Sequence, residues 1–165
     1  MACYSGLLPI PDNTSEGVNS TITIPDSLTI TDVNVKLTVS HQWVGDLKFT
    51  LSHGPLSVAF YDRPGYPETI YGCEAVNIPG AWSDDEGTSG AWETSCRSLS
   101  TPAYLTNGRY TSGPLSYFDG MDAAGTWTLN ASDHMDGISG LLQSWCLEFN
   151  TPDLPSIFKD GFEDR

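Results

Sequence analysis

Four aspartates stand at positions where a carboxylate could bind a hard cation. Asp46 follows Gly45 at the entrance to an apolar strand, whereas Asp84, Asp85 and Asp122 lie in loops rich in glycine and acidic residues. Calcium takes roughly six to eight oxygen ligands, which acidic loops can supply. A carboxylate such as that of Asp46 could instead accept backbone N–H bonds and hold a turn. The sequence therefore predicts calcium as a candidate cofactor, with these four aspartates as candidate ligands.

The chain carries no recognisable catalytic motif. A Gly-x-Ser-x-Gly elbow and a His-Glu-x-x-His helix are both absent, and the sequence GISG at 137–140 has the wrong spacing for the elbow. The fold could still bring His41 or His134 to an aspartate and a serine, as serine catalysis requires. The simpler interpretation is a partly buried histidine that is hydrogen-bonded beside Asp46. We therefore expect that this chain alone is not an enzyme.

Aromatic residues concentrate in the long loop 66–110, where Trp82 and Trp92 are the largest side chains. Exposed aromatic rings stack on sugars or anchor a protein partner. The two tryptophans are therefore candidate binding residues of a substrate- or carbohydrate-targeting module. The alternative is that they form a small satellite core beneath the loop.

Four cysteines, at 3, 73, 96 and 146, occur without a CxxC pair, which favours two disulfides and an oxidising, extracellular location. Four cysteines allow three pairings. If Trp145 and Leu147 face the core, Cys146 faces the opposite side, where it could meet Cys3 near the N-terminus. Cys73 would then pair with Cys96 and staple the long loop.

Period-two alternation of apolar and polar residues predicts several short strands separated by Gly, Pro, Asn and Asp. The predicted fold class is all-β: a jelly-roll-like antiparallel β-sandwich with a long disulfide-stapled loop. We expect an N-terminal segment at 1–9, the sandwich at 10–150 and a C-terminal tail at 151–165. We expect one strand around residues 20–24, and strands with alternating apolar residues at 33–39, 47–51, 56–60, 127–131 and 145–149.

The net charge of the chain limits the classes of partner that it is expected to bind. Seven lysines and arginines stand against 21 aspartates and glutamates, which gives a net charge of −14 over 165 residues. Nucleic acid and anionic membranes both attract clustered cations, so neither is an expected partner. We expect a secreted, monomeric protein, cut from a longer precursor because no signal peptide precedes it.

Five stretches, in this order, resemble the P domain (P/Homo B domain) that follows the catalytic domain in convertases and in many bacterial peptidases. They are ITDVNV with SHQWVGDL at 30–47, DRPG at 62–65, DDE at 84–86, FDGMDAAGTWTL at 118–129 and DGISGLLQSW at 136–145. The match spans roughly residues 10–150. Met121 and Ala123 depart from an acidic-proline pair that is usual in the family, and the region between Cys73 and Cys96 is longer than expected.

This resemblance implies a jelly-roll sandwich that packs on the catalytic peptidase domain of the same precursor. It also implies a role in the folding, stability and calcium or pH response of a subtilisin-like serine endopeptidase, with a protein substrate acted on by the parent. The tail at 157–163 resembles the C-terminal ending of secreted proteins from Gram-negative bacteria. An interaction domain on a secreted protein that is not a peptidase is a further alternative.

Overall fold

Two β-sheets face each other in the computed structural model, which describes residues 1–95, 103–106 and 112–151. Helical structure in these ranges is limited to a four-residue α-helix, α1 (Trp92–Ser95), and two 3-10 turns, Val44–Asp46 and Leu115–Phe118. The strands are β1 (Ala2–Ile10), β2 (Thr14–Ile24), β3 (Asp32–Ser40), β4 (Leu47–His53), β5 (Leu56–Asp62), β6 (Ile78–Ser83), β7 (Tyr104–Leu105), β8 (Gly125–Asp133) and β9 (Gly140–Asn150).

One sheet has the strand order β1-β9-β3-β6-β7, and the other has the order β2-β8-β4-β5. All neighbouring strands are antiparallel except β6 and β7, which are parallel. This architecture confirms the predicted all-β, jelly-roll-like sandwich. Within the described residues, no helix is long and apolar enough to cross a membrane.

The core lies between the two sheets, as the alternation in the sequence predicts. In β4, Leu47, Phe49 and Leu51 are completely buried, while the polar residues between them are partly exposed. Trp145 on β9 joins the sheets through its indole N–H, which donates a 2.8 Å hydrogen bond to Ser20 Oγ on β2. A buried tryptophan thus meets its need for a polar partner while it fills the core.

Two segments that the sequence set apart from the sandwich are strands of it. Residues 1–9 were expected to precede the domain, but β1 pairs with β9 along almost its whole length. The loop 66–110 contains β6, which pairs with β3. Sequence periodicity missed both strands, because β1 is an edge strand without a strong apolar face and β6 carries Pro79 and Gly80 in its interior.

The disulfide between Cys3 and Cys146 is confirmed, because the two residues lie opposite each other on β1 and β9 and their sulfurs are bonded. Trp145 and Leu147 point into the core, so Cys146 points to the outer face, as the alternation predicts. Cys73 is also disulfide-bonded. Its predicted partner, Cys96, lies outside the described residues, as does the tail at 152–165.

Candidate functional site

A buried histidine–aspartate pair joins the two sheets at one end of the sandwich. His41 follows β3 in the first sheet, and Asp133 ends β8 in the second. His41 Nε2 lies 2.9 Å from Asp133 Oδ2, and both side chains are completely buried. The N–H of Trp43 donates to His41 Nδ1 at 3.0 Å, so Nδ1 carries no proton and Nε2 donates to Asp133.

Every polar atom of this pair is engaged within the protein. Asp133 Oδ1 accepts a 2.9 Å hydrogen bond from the N–H of Met135, and Oδ2 accepts the bond from His41. A general base needs a free lone pair on the atom that takes the proton. The pair therefore fixes the β3 and β8 ends to each other and has no free atom for a substrate.

Asp46 lies next to this pair and differs from it in having no partner. The ligand atoms of His41, Asp46 and Asp133 lie within 4.8 Å of one another. Asp46 is only 5% exposed, and no described residue donates a hydrogen bond to its carboxylate. Burial, and then the negative charge of Asp133, raise the pKa of Asp46 from 3.8 to about 6.

The position of Asp46 is set by the 3-10 turn at 44–46, which is fastened to the segment 71–75. The N–H groups of Val44 and Gly45 donate to the carbonyls of Ala75 and Cys73, each at 3.0 Å. A Cβ on Gly45 would lie 2.2 Å from the backbone nitrogen of Cys73. This position therefore accepts glycine alone, and the sequence Gly45-Asp46 places the carboxylate at the end of a tightly packed turn.

The carboxylate of Asp46 opens into a surface pocket of about 260 Å³, which we name the Asp46 pocket. The Trp43 and Tyr71 rings meet edge to face, with centroids 6.2 Å apart, and the Trp43 indole donates to the Tyr71 carbonyl. The pocket is lined by Trp43, Asp46, Tyr71, Met135, Asp136 and Ile138. It thus combines aromatic and aliphatic walls with two carboxylates.

The four predicted calcium ligands are not gathered in one place. Asp84 Oδ1 accepts a 2.8 Å bond from the N–H of Glu86, and Asp85 accepts backbone bonds from residues 115 and 116 at 3.1 and 2.7 Å. Asp122 accepts bonds from Ser27 Oγ and from the N–H groups of residues 28 and 124, which lower its pKa. Asp122 therefore acts as a turn former, the alternative that the sequence offered for such carboxylates.

A different group of acids surrounds Asp84 and Asp85, which we name the acidic cluster: Asp32, Asp84, Asp85, Glu86 and Asp119. Burial and then the charge of Asp84 raise the pKa of Asp32, and burial and then the charge of Asp32 raise the pKa of Asp119. Asp32 begins β3 and His41 follows its end, so the cluster and the Asp46 pocket are separated by the length of that strand, about 27 Å.

Asn34 lies beside the acidic cluster and has an unused oxygen. Its side-chain N–H donates to Asp32 Oδ2 at 3.1 Å, and Asn150 donates to the same oxygen at 2.8 Å. Asn34 is 6% exposed, and its Oδ1 is buried without a hydrogen-bond partner among the described residues. Buried carbonyl oxygens normally have a partner, so this atom has the capacity to accept another ligand.

Both tryptophans singled out from the sequence are buried. Trp92 is 1% exposed and packs edge to face on Tyr61, with ring centroids 4.8 Å apart. Trp82 is 7% exposed, stacks on Tyr104 and lies 5.6 Å below the ammonium of Lys36. These positions favour the satellite-core alternative, and ligand binding by the two residues stays a prediction.

His134 does meet a serine, as the sequence allowed. Ser132 Oγ lies 3.0 Å from His134 Nε2, and burial lowers the pKa of His134. However, Ser132 is only 1% exposed, and its hydroxyl also lies 3.5 Å from the Lys48 carbonyl. A nucleophile must reach its substrate, so this arrangement does not form an accessible catalytic site.

Sequence reasoning missed Asp133, Tyr71 and Asp136. Asp133 had a usable signal: it continues the inward alternation of Trp127, Leu129 and Ala131, so a charged residue falls in phase with the core. Such a position predicts a buried partner. Tyr71 and Asp136 gave no comparable signal, because their approach to Trp43 depends on how the loops fold.

No protein-family model matches the chain, and no curated protein matches its sequence. Two solved structures share its fold. The serine protease of Aeromonas sobria in complex with its chaperone is 19% identical with a TM-score of 0.56, and the match covers 93% of this chain and 27% of that one. The serine protease of Aeromonas sobria is 17% identical with a TM-score of 0.51, covering 89% and 26%. At these identities the likeness concerns the fold, and the chain spans about a quarter of each protease chain.

Proposed function

We propose that this chain is a non-catalytic accessory module of a secreted serine endopeptidase, and that it stabilises or regulates the catalytic domain. The observation that carries the proposal is the match of 93% of the chain to 27% of a bacterial serine protease. A separate domain inside a longer protease fits that proportion. The P-domain resemblance of residues 10–150 supports the same role, and the Cys3–Cys146 disulfide supports secretion.

The absence of catalysis in this module is supported by its histidines. The His41–Asp133 pair has no free polar atom, and Ser132 beside His134 is buried. The cleavage chemistry is therefore assigned to the catalytic domain of the same precursor. The parent endopeptidase would accordingly act on a protein substrate.

An exposed apolar surface supports docking on the catalytic domain. Tyr66, Ile70, Tyr71 and Val76 are 40%, 72%, 57% and 63% exposed, and they lie within one eleven-residue stretch of the chain. Exposed apolar patches on soluble proteins mark interaction sites. We name this stretch the 66–76 surface and assign it to the contact with the catalytic domain.

The docking proposal is tested on the precursor with and without residues 1–165. Deletion of the module is expected to shorten the half-life of protease activity at elevated temperature, while purified residues 1–165 alone do not hydrolyse casein. Ile70→Asp should weaken stabilisation in the precursor, because it places a charge in the docking surface. Leu7→Asp is the matched control, since Leu7 is also 72% exposed but lies on β1. Equal half-lives with and without the module would contradict the proposal.

Calcium enters the proposal at the acidic cluster. The original ligand set is dispersed, whereas Asp32 is repelled by Asp84 and Glu86, and Asp119 by Asp32, Asp85 and Glu86. Asn34, which donates a hydrogen bond to Asp32, has an unused side-chain oxygen. A divalent cation would relieve that repulsion and would take Asn34 Oδ1 as a neutral ligand.

The test is thermal unfolding in EDTA against a calcium titration, with magnesium as the control. Calcium at about a hundred times its dissociation constant adds about 2.7 kcal/mol, which is about 5–10 °C for a domain of this size. The shift should be lost in Asp119→Asn and kept in Asp122→Asn, because the Asp122 carboxylate is engaged by three other donors. A shift of equal size in both variants would place calcium elsewhere.

A further inference from the structure

The Asp46 pocket presents negative charge to the surface, and no described cation forms an ion pair with its carboxylates. Asp46 is 5% exposed, its carboxylate opens into the pocket without a hydrogen bond from a described residue, and Asp136 adds a second acid at the mouth. Partial burial of a carboxylate is costly, so a cation that enters the pocket would recover part of that cost. The geometry therefore favours a cationic occupant.

The described cations nearest to the pocket form no ion pair with Asp46. The guanidinium of Arg63 lies 4.0 Å over the Tyr66 ring and is close enough to lower the pKa of Asp46, while its Nε and Nη2 are buried without a hydrogen-bond partner among the described residues. Lys48 pairs with Asp62 at 2.9 Å, and Lys36 lies over Trp82. No described lysine or arginine forms an ion pair with Asp46, so a cation that binds in the pocket would come from outside the described residues.

The walls of the pocket favour a flat cation over a metal ion. His41 and Asp133 lie within ligand distance of Asp46, yet all their polar atoms are engaged, which leaves the carboxylates of Asp46 and Asp136 where calcium needs roughly six to eight oxygens. Trp43 and Tyr71 supply aromatic surface instead. A guanidinium group stacks on aromatic rings and pairs with a carboxylate through its planar donors.

We propose that the Asp46 pocket binds an arginine side chain presented by the catalytic domain, as the polar anchor of the docking contact. Tyr71 belongs both to the pocket and to the 66–76 surface, so an arginine entering the pocket would lie at the edge of the apolar contact. Arginine and aromatic residues are the usual anchors of protein interfaces. The inference rests on the proposed docking function, and it identifies one contact of the docking interface as an arginine bound to a carboxylate.

The proposal is tested on the isolated chain with N-acetyl-arginine methylamide as the probe, followed by NMR at the Trp43 indole N–H. We expect saturable shifts at pH 8 with a Kd of about 1–10 mM. The citrulline counterpart, which has the same shape without the charge, should bind at least tenfold more weakly. Asp46→Asn should weaken the arginine probe to the same degree, and Asp26→Asn, a charge-matched change at an exposed loop position, should leave it unchanged.

The pH dependence supplies a second readout that does not rely on a variant. Burial raises the pKa of Asp46 most, Asp133 and Asp12 raise it further, and His41 and Arg63 lower it, with a result of about 6. Lowering the pH from 8 to 5 should therefore weaken the arginine probe about tenfold, because the carboxyl group is then protonated.

The assignment would be overturned by equal binding of the citrulline probe, by unchanged binding of the arginine probe to Asp46→Asn, or by no saturable shift up to about 50 mM. Displacement of the arginine probe by calcium chloride would make the pocket a metal site, and binding seen only after removal of residues 152–165 would place the occupant within this chain. The deletion experiment on the precursor tests docking itself, so a failure there is distinct from a failure of the pocket.

Discussion

Asp46→Asn should stabilise the free chain at neutral and alkaline pH, which is an unusual expectation for an aspartate in a tightly packed turn. The substitution keeps the shape of the side chain and removes a buried negative charge that no described residue pairs with. It leaves the backbone bonds of residue 46 in place, since these involve the N–H to the Trp43 carbonyl and the carbonyl to the His134 N–H.

The magnitude follows from the pKa of Asp46, which rises from 3.8 to about 6 on folding. Below pH 3.8 the carboxyl group is protonated in both states; as the pH rises towards 6, the unfolded state loses the proton first, and folding becomes less favourable. The full difference corresponds to about 3 kcal/mol, and screening by water in the open pocket reduces it to about 1–2 kcal/mol. Asp46→Asn should therefore gain about 1–2 kcal/mol at pH 8 and less than about 0.5 kcal/mol at pH 4.

Urea unfolding between pH 4 and pH 8, without reducing agent, measures this difference. Equal slopes in the two proteins check two-state behaviour. The corresponding shift in Tm at pH 8 is about 3–6 °C. Asp26→Asn controls for the change in net charge. A loss of stability in Asp46→Asn at pH 8, or a difference that is independent of pH, would mean that the carboxylate has a stabilising partner and would refute the reasoning.

Three further changes test the framework around the pocket. His41→Ala should lower the free energy of unfolding by about 3 kcal/mol in urea titrations, because it leaves Asp133 buried without its partner; a loss below about 1 kcal/mol would contradict the role of the pair. The double change Cys3→Ser and Cys146→Ser should lower the free energy of unfolding by about 4–5 kcal/mol on the chain-entropy model, because the disulfide spans a sequence separation of 143 residues. Calorimetry measures the loss, and an unchanged Tm would contradict the prediction. Gly45→Ala should lower the free energy of unfolding by about 1–3 kcal/mol, because a Cβ there would lie 2.2 Å from the facing backbone. A variant that unfolds at the same urea concentration as the wild type would show that the turn can move.

The strands at the centre of each sheet could be predicted because their apolar residues recur with a period of two. The inward face of β4 and the outward direction of Cys146 both follow from that period, and the structure agrees with each. β6 could not be found in the same way. It interrupts its alternation at Pro79 and Gly80, and its pairing with β3 is decided by the contact between the two strands.

The carboxylates show where local sequence stops being informative. Asp46 directly follows Gly45, Asp122 lies two residues after Gly120, and the sequence treated both as candidate calcium ligands. The structure gives Asp122 three donors and Asp46 none. The pKa of Asp122 is therefore lowered, whereas that of Asp46 is raised.

The sequence by itself determined the class of fold, the inward residues of most strands and the outward direction of Cys146, because each depends on side-chain alternation along one strand. The pairing of β1 with β9, which places Cys3 opposite Cys146, was decided by the tertiary structure. The tertiary structure decided which acids share a site. Asp133 is distant in sequence from His41 and Asp46, and it meets them because β3 and β8 end on the same side of the sandwich. Burial and neighbouring charge, which set the chemistry of a carboxylate, come from that meeting and not from the residues on either side of it in the chain.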